Sequence, residues 1–278
     1  MSVLLAMMST ISIGMGEFVA GGVTARARSH EVTATMFLTG TASMVVVALF
    51  WSGDPTNGDL AYGALAGVAN GLGILLLYRS YATATVRVAA PTAAVIMSAV
   101  PVGWDVLISG NSPSPIVSVG LVVGLAAIGL SSYSPGASAI ATNGVRLAVV
   151  GGAVFGVLFI LLSQIGDDAG GTPLLLQRTV GFLLAVAVAR ATGPRIFPPL
   201  RRDFLQSCLI GLFAAAAIVT FVLALQTGGN LAVVSVVGSQ YAAVAVLLGI
   251  VFRGEHLWWW QGVGLAGASL AVALISLG

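Results

Sequence analysis

Ten apolar stretches follow one another with very little chain between them. They span 2–23, 32–51, 59–80, 87–109, 115–133, 145–165, 173–192, 204–226, 230–252 and 257–277. A helix needs ~20 mostly apolar residues to cross the hydrocarbon of a bilayer, so each stretch is long enough to span. The longest break, "GPRIFPPLRRD" at 193–203, is too rich in Pro and Arg to continue a helix. Connections this short leave no room for a soluble domain. Only 7% of the chain is charged, against about 25% in a soluble domain, which is too little to cover a soluble surface. The expected fold is therefore an all-α polytopic membrane protein with ten transmembrane helices, multi-pass in a prokaryotic inner or plasma membrane. Residues 1–25 hold no Lys or Arg. They lack the basic n-region of a cleavable signal peptide, so the first helix is expected to be retained.

Composition narrows the chemistry. The single cysteine, Cys208, excludes an intrachain disulfide and any multi-Cys metal site. His30 and His256 are not spaced as a metal pair. Neither a metal nor a cofactor is expected. A net charge of +2 is too small to suggest nucleic acid. Gly occurs 36 times, as suits helices that must pack closely where no hydrophobic effect drives them together.

The chain repeats its own organisation. With 82–133 set beside 225–276, Ala89 falls on Ala232, Thr92 on Ser235 and Gly124 on Gly267. Residues 1–134 and 145–278 each hold five of the stretches. Five is odd, so the two halves would cross the membrane in opposite senses. Inverted repeats of this kind are a common plan of secondary transporters, with the substrate near the midplane between them.

All eleven basic residues are Arg. Ten lie at odd-numbered connections or their edges: Arg26, Arg28, Arg79, Arg87, Arg146, Arg190, Arg195, Arg201, Arg202 and Arg253. Even-numbered connections hold Asp54, Asp59, Asp167 and Asp168 and no Arg. Basic short loops face the cytoplasm, which puts both termini outside.

Several stretches carry irregular or polar residues. Pro91 and Pro101 fall inside the fourth, and Asn70-Gly71 is expected to interrupt the third. These mark either kinks beside a cavity or ordinary packing. Gly63, Gly67 and Gly71 form a small-xxx-small face, expected to serve internal helix packing.

A charge at the bilayer centre costs ~2.5–3.5 kcal/mol on insertion scales, so such residues usually line a cavity or pair. Glu17, two-thirds along the first stretch, is a candidate proton or cation site. The alternative is a carboxylate at the interface, solvated or paired with Arg26 or Arg28. Arg178, six residues into the seventh stretch, could bind a carboxylate or phosphate, pair with Glu17, or snorkel to the near surface. Asp105, beside Trp104, reads as a surface residue at a helix end. Gln177, Gln164, Gln240, Tyr241, Asn70 and Tyr78 are polar residues that line a cavity or hydrogen-bond between helices. Trp104 and Phe18 could supply an aromatic wall.

The segment "VFRGEHLWWWQG" at 251–262 is a polar corner followed by tryptophans at interface depth, where indoles are enriched. Gly262, Gly264 and Gly267 follow. This end of the chain resembles an EamA-type domain of the drug/metabolite transporter superfamily, in which a long apolar helix ends in "GE" and a Gly-rich helix follows. "YRSYATATVRVAAPTAAVIMSAVPV" from Tyr78, "GEFVAGGVTARARS" from Gly16 and "IGDDAGGTPLLLQR" from Ile165 are similar to other parts of that family. The likeness runs over nearly the whole chain. It implies two EamA-like repeats, at 1–134 and 145–278, and a transporter. It also adds to Glu17, because small multidrug transporters, distant members of the superfamily, use a first-span Glu for proton and cation exchange. The chain departs from the family in having Asn111 or Ser112 where a corner Glu is frequent, and an acidic loop between its second and third stretches. The family default also places both termini in the cytoplasm, against the Arg count.

The expected function is a secondary transporter, exporting small organic metabolites, amino acids or drug-like compounds by alternating access. Its partners would be a small-molecule substrate and the lipid bilayer, with coupling by protons at Glu17, by facilitated diffusion or by solute exchange left open. No ATP-binding loop is present. An integral-membrane enzyme would show His clusters, carboxylate pairs or long catalytic loops, and none is visible. The remaining alternative is a non-transporting membrane scaffold or partner subunit. The oligomeric state is left open.

Overall fold

The computed structural model describes residues 1–84, 86–108, 114–132, 139–254 and 258–277. Among them the secondary structure is helical, without strands. The α-helices are α1 (Ser2–Val23), α2 (Ser29–Phe50), α3 (Asn57–Ala84), α4 (Val86–Leu107), α5 (Pro115–Ser132), α6 (Ala139–Ser163), α7 (Thr172–Thr192), α8 (Arg201–Gln226), α9 (Leu231–Ser239), α10 (Tyr241–Arg253) and α11 (Trp259–Leu277). A 3-10 turn, Asp167–Ala169, precedes α7.

Among the described residues, seven segments are long and apolar enough to cross a membrane: α1, α2, α3, Asn143–Ser163 of α6, α7, α8, and Leu231–Arg253, which joins α9 to α10. Val88–Trp104 and Pro115–Gly124 are shorter apolar helices among the described residues. Large apolar side chains such as Leu49, Phe50, Val122 and Phe252 stand exposed on the flanks. Such a surface is unfavourable in water and suited to lipid tails. The architecture is compatible with a multi-pass integral membrane protein.

Two local expectations are corrected. Asn70-Gly71 does not interrupt the third stretch, because α3 runs unbroken through it. Gly71 instead lets α3 lie against Gly181 and Leu184 of α7. The ninth stretch, by contrast, is divided at Gln240 into α9 and α10. Pro91 and Pro101 sit inside a continuous α4. Pro101 has no N–H for the carbonyl of Met97, four residues back, and Gly156 of α6 packs against that carbonyl.

Close packing explains the glycine content. α3 lies against α6 and α7, α8 against α1 and α2, α4 against α6, and α5 against α11. Gly63, Gly67 and Gly71 all face α7, and a Cβ on Gly67 would stand only 2.7 Å from Cβ of Val180. This is the internal packing face expected from their spacing. Gly124 faces Ala271 and Gly267 faces Ala127, so α5 and α11 trade small residues across one seam.

The connections gather at two ends. At one, 51–56 meets 164–171: Asp54 N–H donates to Asp168 O (2.9 Å), Gly171 N–H to Trp51 O (2.9 Å) and Gly166 N–H to Asp59 Oδ1 (2.7 Å). At the other, Arg26 pairs with Asp203 (3.0 Å) and Arg253 Nη2 donates to Phe18 O (2.7 Å). Of the corner at 253–256, Arg253 and Gly254 are described, with Gly254 at φ 61° ending α10. Glu255 and His256 lie outside the described residues, as do Asn111, Ser112 and the side chain of Asp105.

Candidate functional site

The site begins with the few polar groups that these apolar helices bury. Glu17 comes from α1, Asn70 and Tyr78 from α3, Arg178 from α7, and Tyr241 from the first position of α10. All five line one cavity of about 80 Å³, several times the ~10–15 Å³ a single water needs. The remaining wall is mostly apolar: Met36, Ile74, Leu77, Met97, Phe155, Leu158, Phe159, Ile210, Ile218 and Phe221, with Ser9 and Ser12 of α1. Both halves of the chain contribute.

Two opposite charges face this space. Glu17 is 6% exposed and its Oε2 has no hydrogen-bond partner. Arg178 is 2% exposed and its Nε is likewise unpartnered. These contacts bear on the pairings expected from sequence. Glu17 does not pair with Arg26, which is taken by Asp203 and Gln206. No ion pair joins Glu17 to Arg178, since Arg26–Asp203 is the one ion pair among the described residues. Nor does Arg178 snorkel. Its Nη2 donates to the backbone carbonyl of Ala214 in α8, and its guanidinium lies 5.7 Å from the Phe37 ring centroid. Gly40 makes room for its stem, because a Cβ there would stand 3.4 Å from Arg178 Cδ. Arg178 is thus threaded between α2 and α8 and lines the cavity.

Tyrosines surround the carboxylate. Tyr78 and Tyr241 line the cavity with Glu17, and the Tyr81 hydroxyl lies beside the Glu17 carboxyl group. The Tyr78 and Tyr81 rings are 5.9 Å apart. Tyr78 donates to Met36 Sδ (3.5 Å) and Tyr241 to the carbonyl of Ala90 in α4 (3.3 Å). The broken helix is tied to α1 by Thr10, whose hydroxyl donates to Val237 O (2.7 Å). A discontinuous helix beside a cavity is a recurring arrangement in transporters.

The other predicted residues lie elsewhere. Gln177 is fully buried beside Arg178, with both amide atoms unpartnered, but it does not line the cavity. Trp104 and Gln164 line a separate hollow at the acidic end, with Leu162, Asp167, Val222 and Gln226. Trp104 therefore does not wall the central cavity, and neither does Phe18, whose ring lies under the Arg253 guanidinium (4.2 Å) at the arginine-rich end. Phe155, Phe159 and Phe221 take that role, and sequence reasoning missed them. Gln240 sits at the helix break, half-buried and outside the cavity. Among the described residues no group of His, Cys, Asp and Glu could hold a metal ion.

No family model matches the sequence, and no curated protein matches it significantly. The fold does have solved counterparts. One, described only as "Crystal structure of protein", aligns over 99% of this chain and 96% of its own with a TM-score of 0.76 at 14% identity. At that identity the likeness is one of fold: the chain shares its all-helical architecture with a protein of nearly the same length.

Proposed function

We propose that the chain is a secondary transporter that exports a small organic solute by alternating access. In this reading residues 1–134 and 145–278 are inverted repeats of five spans, as in the EamA family of the drug/metabolite transporter superfamily, with α9 and α10 together making the ninth span. The observation that carries the proposal is the cavity holding Glu17 and Arg178. Two buried opposite charges that do not pair with each other are costly in a membrane, and they are explained if solute or ion occupies the cavity they line during a cycle.

The pattern of neighbours supports the repeat. Matching the spans in order pairs α1 with α6, α2 with α7, α3 with α8, α4 with α9–α10 and α5 with α11. Exchanging the halves turns the α3·α6 contact into α8·α1, α3·α7 into α8·α2, and α4·α6 into the packing of α9 and α10 on α1. The α2·α7 and α5·α11 contacts map onto themselves. Two similar bundles around a two-fold axis would give such an exchange, and rocking of such bundles alternates access to a site between them.

The test is counterflow in proteoliposomes preloaded with pooled metabolites and amino acids, with Glu17→Gln alongside. Saturable exchange is the expected result, and the mutant should lose flux driven by a pH gradient. Full pH-driven flux in Glu17→Gln would remove the proton role. Absence of saturable exchange across the pool, from folded protein, would favour the scaffold alternative.

A further inference from the structure

We propose that the arginine-rich end holds a binding site for an anionic phospholipid, with its phosphodiester beside Arg28 and Arg195 and an acyl chain along α8. The site is separate from the central cavity and does not depend on what the protein transports.

The pocket lies where the 24–28 corner meets the 193–200 connection, at the ends of the spanning helices α1, α2, α7 and α8. It encloses about 370 Å³, and its lining includes Arg26, Arg28, Glu31, Arg195, Leu200 and Asp203. A single water needs only ~10–15 Å³. Two contacts hold the segments together. Arg26 Nη2 donates to Asp203 Oδ1 (3.0 Å) and to Gln206 Oε1 (2.8 Å). Arg28 reaches across to the connection, where a Cβ on Gly193 would stand 2.9 Å from its Nη1. Arg195 follows Gly193 by two residues, a reach of at most about 7 Å between their Cα atoms. The tip of Arg28 therefore lies against the stretch of backbone that carries Arg195.

Charge identifies the ligand. Arg26 and Asp203 satisfy each other. Arg28 and Arg195 are exposed and join no ion pair among the described residues. The carboxylate of Glu31 opposes them in the pocket. Two arginines against one carboxylate leave a single positive charge, which a monoanionic phosphodiester balances. Glu31 disfavours the second negative charge of a phosphate monoester. The exposed Arg190, Arg201 and Arg202 flank the connection and add to the same sign. Arg28 and Leu200 are also the N-caps of α2 and α8, and neither end has a side-chain cap. Helix N-termini add to the attraction for an anion.

The surface beside the pocket points to a lipid rather than a free anion. Leu200 is 63% exposed. Arg201, Leu205, Leu209 and Leu212 share one face of α8 by helical spacing, and the three leucines are exposed. The stripe from Arg201 to Leu212 is about 16 Å long, roughly half of the ~30 Å hydrocarbon core. It matches the depth of one leaflet, so a chain from a headgroup in the pocket can follow it. Basic pockets between spanning helices recur as sites for anionic headgroups.

The experiment is native mass spectrometry of the full chain, delipidated in detergent and titrated with dioleoyl phosphatidylglycerol or dioleoyl phosphatidylcholine. The expected result is binding of phosphatidylglycerol about tenfold tighter than of phosphatidylcholine, without displacement by an excess of glycerol phosphate or inorganic phosphate. Arg28→Gln and Arg195→Gln should each weaken phosphatidylglycerol about fivefold, since an arginine near an anionic surface contributes ~1 kcal/mol. Neither should change the binding of phosphatidylcholine. Arg146→Gln removes the same charge from an exposed position outside the pocket and should leave both affinities unchanged. Equal affinity for the two lipids overturns the proposal. So does an equal loss in Arg146→Gln, which would mean a general surface attraction. Displacement by glycerol phosphate or inorganic phosphate overturns the lipid and assigns the pocket to a free anion. The lipid-free thermal midpoint of each variant is the control for folding. If it falls in one of the pocket variants, the other, on a separate segment, decides.

Discussion

The rings of Phe159 and Phe221 stack 4.3 Å apart, at 21°, between two hollows. On one side is the central cavity, lined by Leu158, Ile218 and the two rings. On the other, about a turn further along the same helices, is the end pocket lined by Leu162, Val222, Leu225, Trp104 and Gln164. The stack therefore closes the cavity toward the acidic loops, and Gly238 of α9 lies beside it, with a Cβ there 3.8 Å from the Phe221 ring.

Removing that closure should open the cavity from the acidic side. An aromatic pair contributes ~0.5–1.5 kcal/mol beyond its buried area, so Phe159→Ala or Phe221→Ala should raise the open fraction ~2–10-fold. The readout is the labelling rate of Ile218→Cys, in a Cys208→Ser background, by a membrane-impermeant thiol reagent. An unchanged rate in both variants would show that access runs elsewhere.

What could be read in the sequence followed from contrast. Glu17, Arg178, Asn70, Tyr78 and Tyr241 stand out because polar groups are rare and costly inside apolar helices, and the structure gathers all five around one space. Phe155, Phe159, Phe221 and Met97 had no such contrast. In an apolar stretch an aromatic residue that faces lipid and one that faces a cavity look alike, which is why Trp104 and Phe18 stood in their place. The division at Gln240 was equally silent, since "SQY" contains neither Pro nor Gly. Asn70-Gly71 carried the stronger breaking signal and stayed helical, because α7 packs directly on Gly71. The Arg26–Asp203 pair joins positions 177 apart, and no local pattern announces it.

Packing of α3 on α7 gives a second prediction. At Gly67 an added Cβ would stand 2.7 Å from Val180 Cβ, and at Gly262 it would meet nothing within 4 Å. Overpacking a filled interface costs ~1–3 kcal/mol, whereas Ala in place of an unopposed helical Gly gains up to ~1 kcal/mol. Gly67→Ala should therefore lower the thermal midpoint in detergent and Gly262→Ala should leave it equal or higher. Equal behaviour of the two would mean that α3 and α7 do not approach closely.

At the arginine-rich end, Arg253 holds α10 to α1 in two ways. Its guanidinium lies 4.2 Å above the Phe18 ring and its Nη2 bonds the Phe18 carbonyl. An exposed cation–π contact contributes ~0.5–1 kcal/mol. A double-mutant cycle between Phe18→Leu and Arg253→Gln, followed by unfolding in detergent, should return a coupling energy of that size. Additive effects would show that the contact contributes nothing measurable.

The two ends of the molecule differ in charge, and that difference predicts its sidedness. Arg26 bonds Asp203, and Arg253 bonds Phe18 near the close of α1, so the connections after α1, α7 and α10 meet at one end. The acidic connections 51–56 and 164–171 are hydrogen-bonded together at the other. Reversing the protein would carry the whole arginine-rich end across the membrane at once, against the tendency of basic short loops to stay in the cytoplasm. Both Asp167 and Arg201 are exposed at their respective ends. In a Cys208→Ser background, Asp167→Cys should be labelled in intact cells by an impermeant maleimide, and Arg201→Cys only after permeabilisation. The opposite pattern would place both termini in the cytoplasm, as in the EamA default.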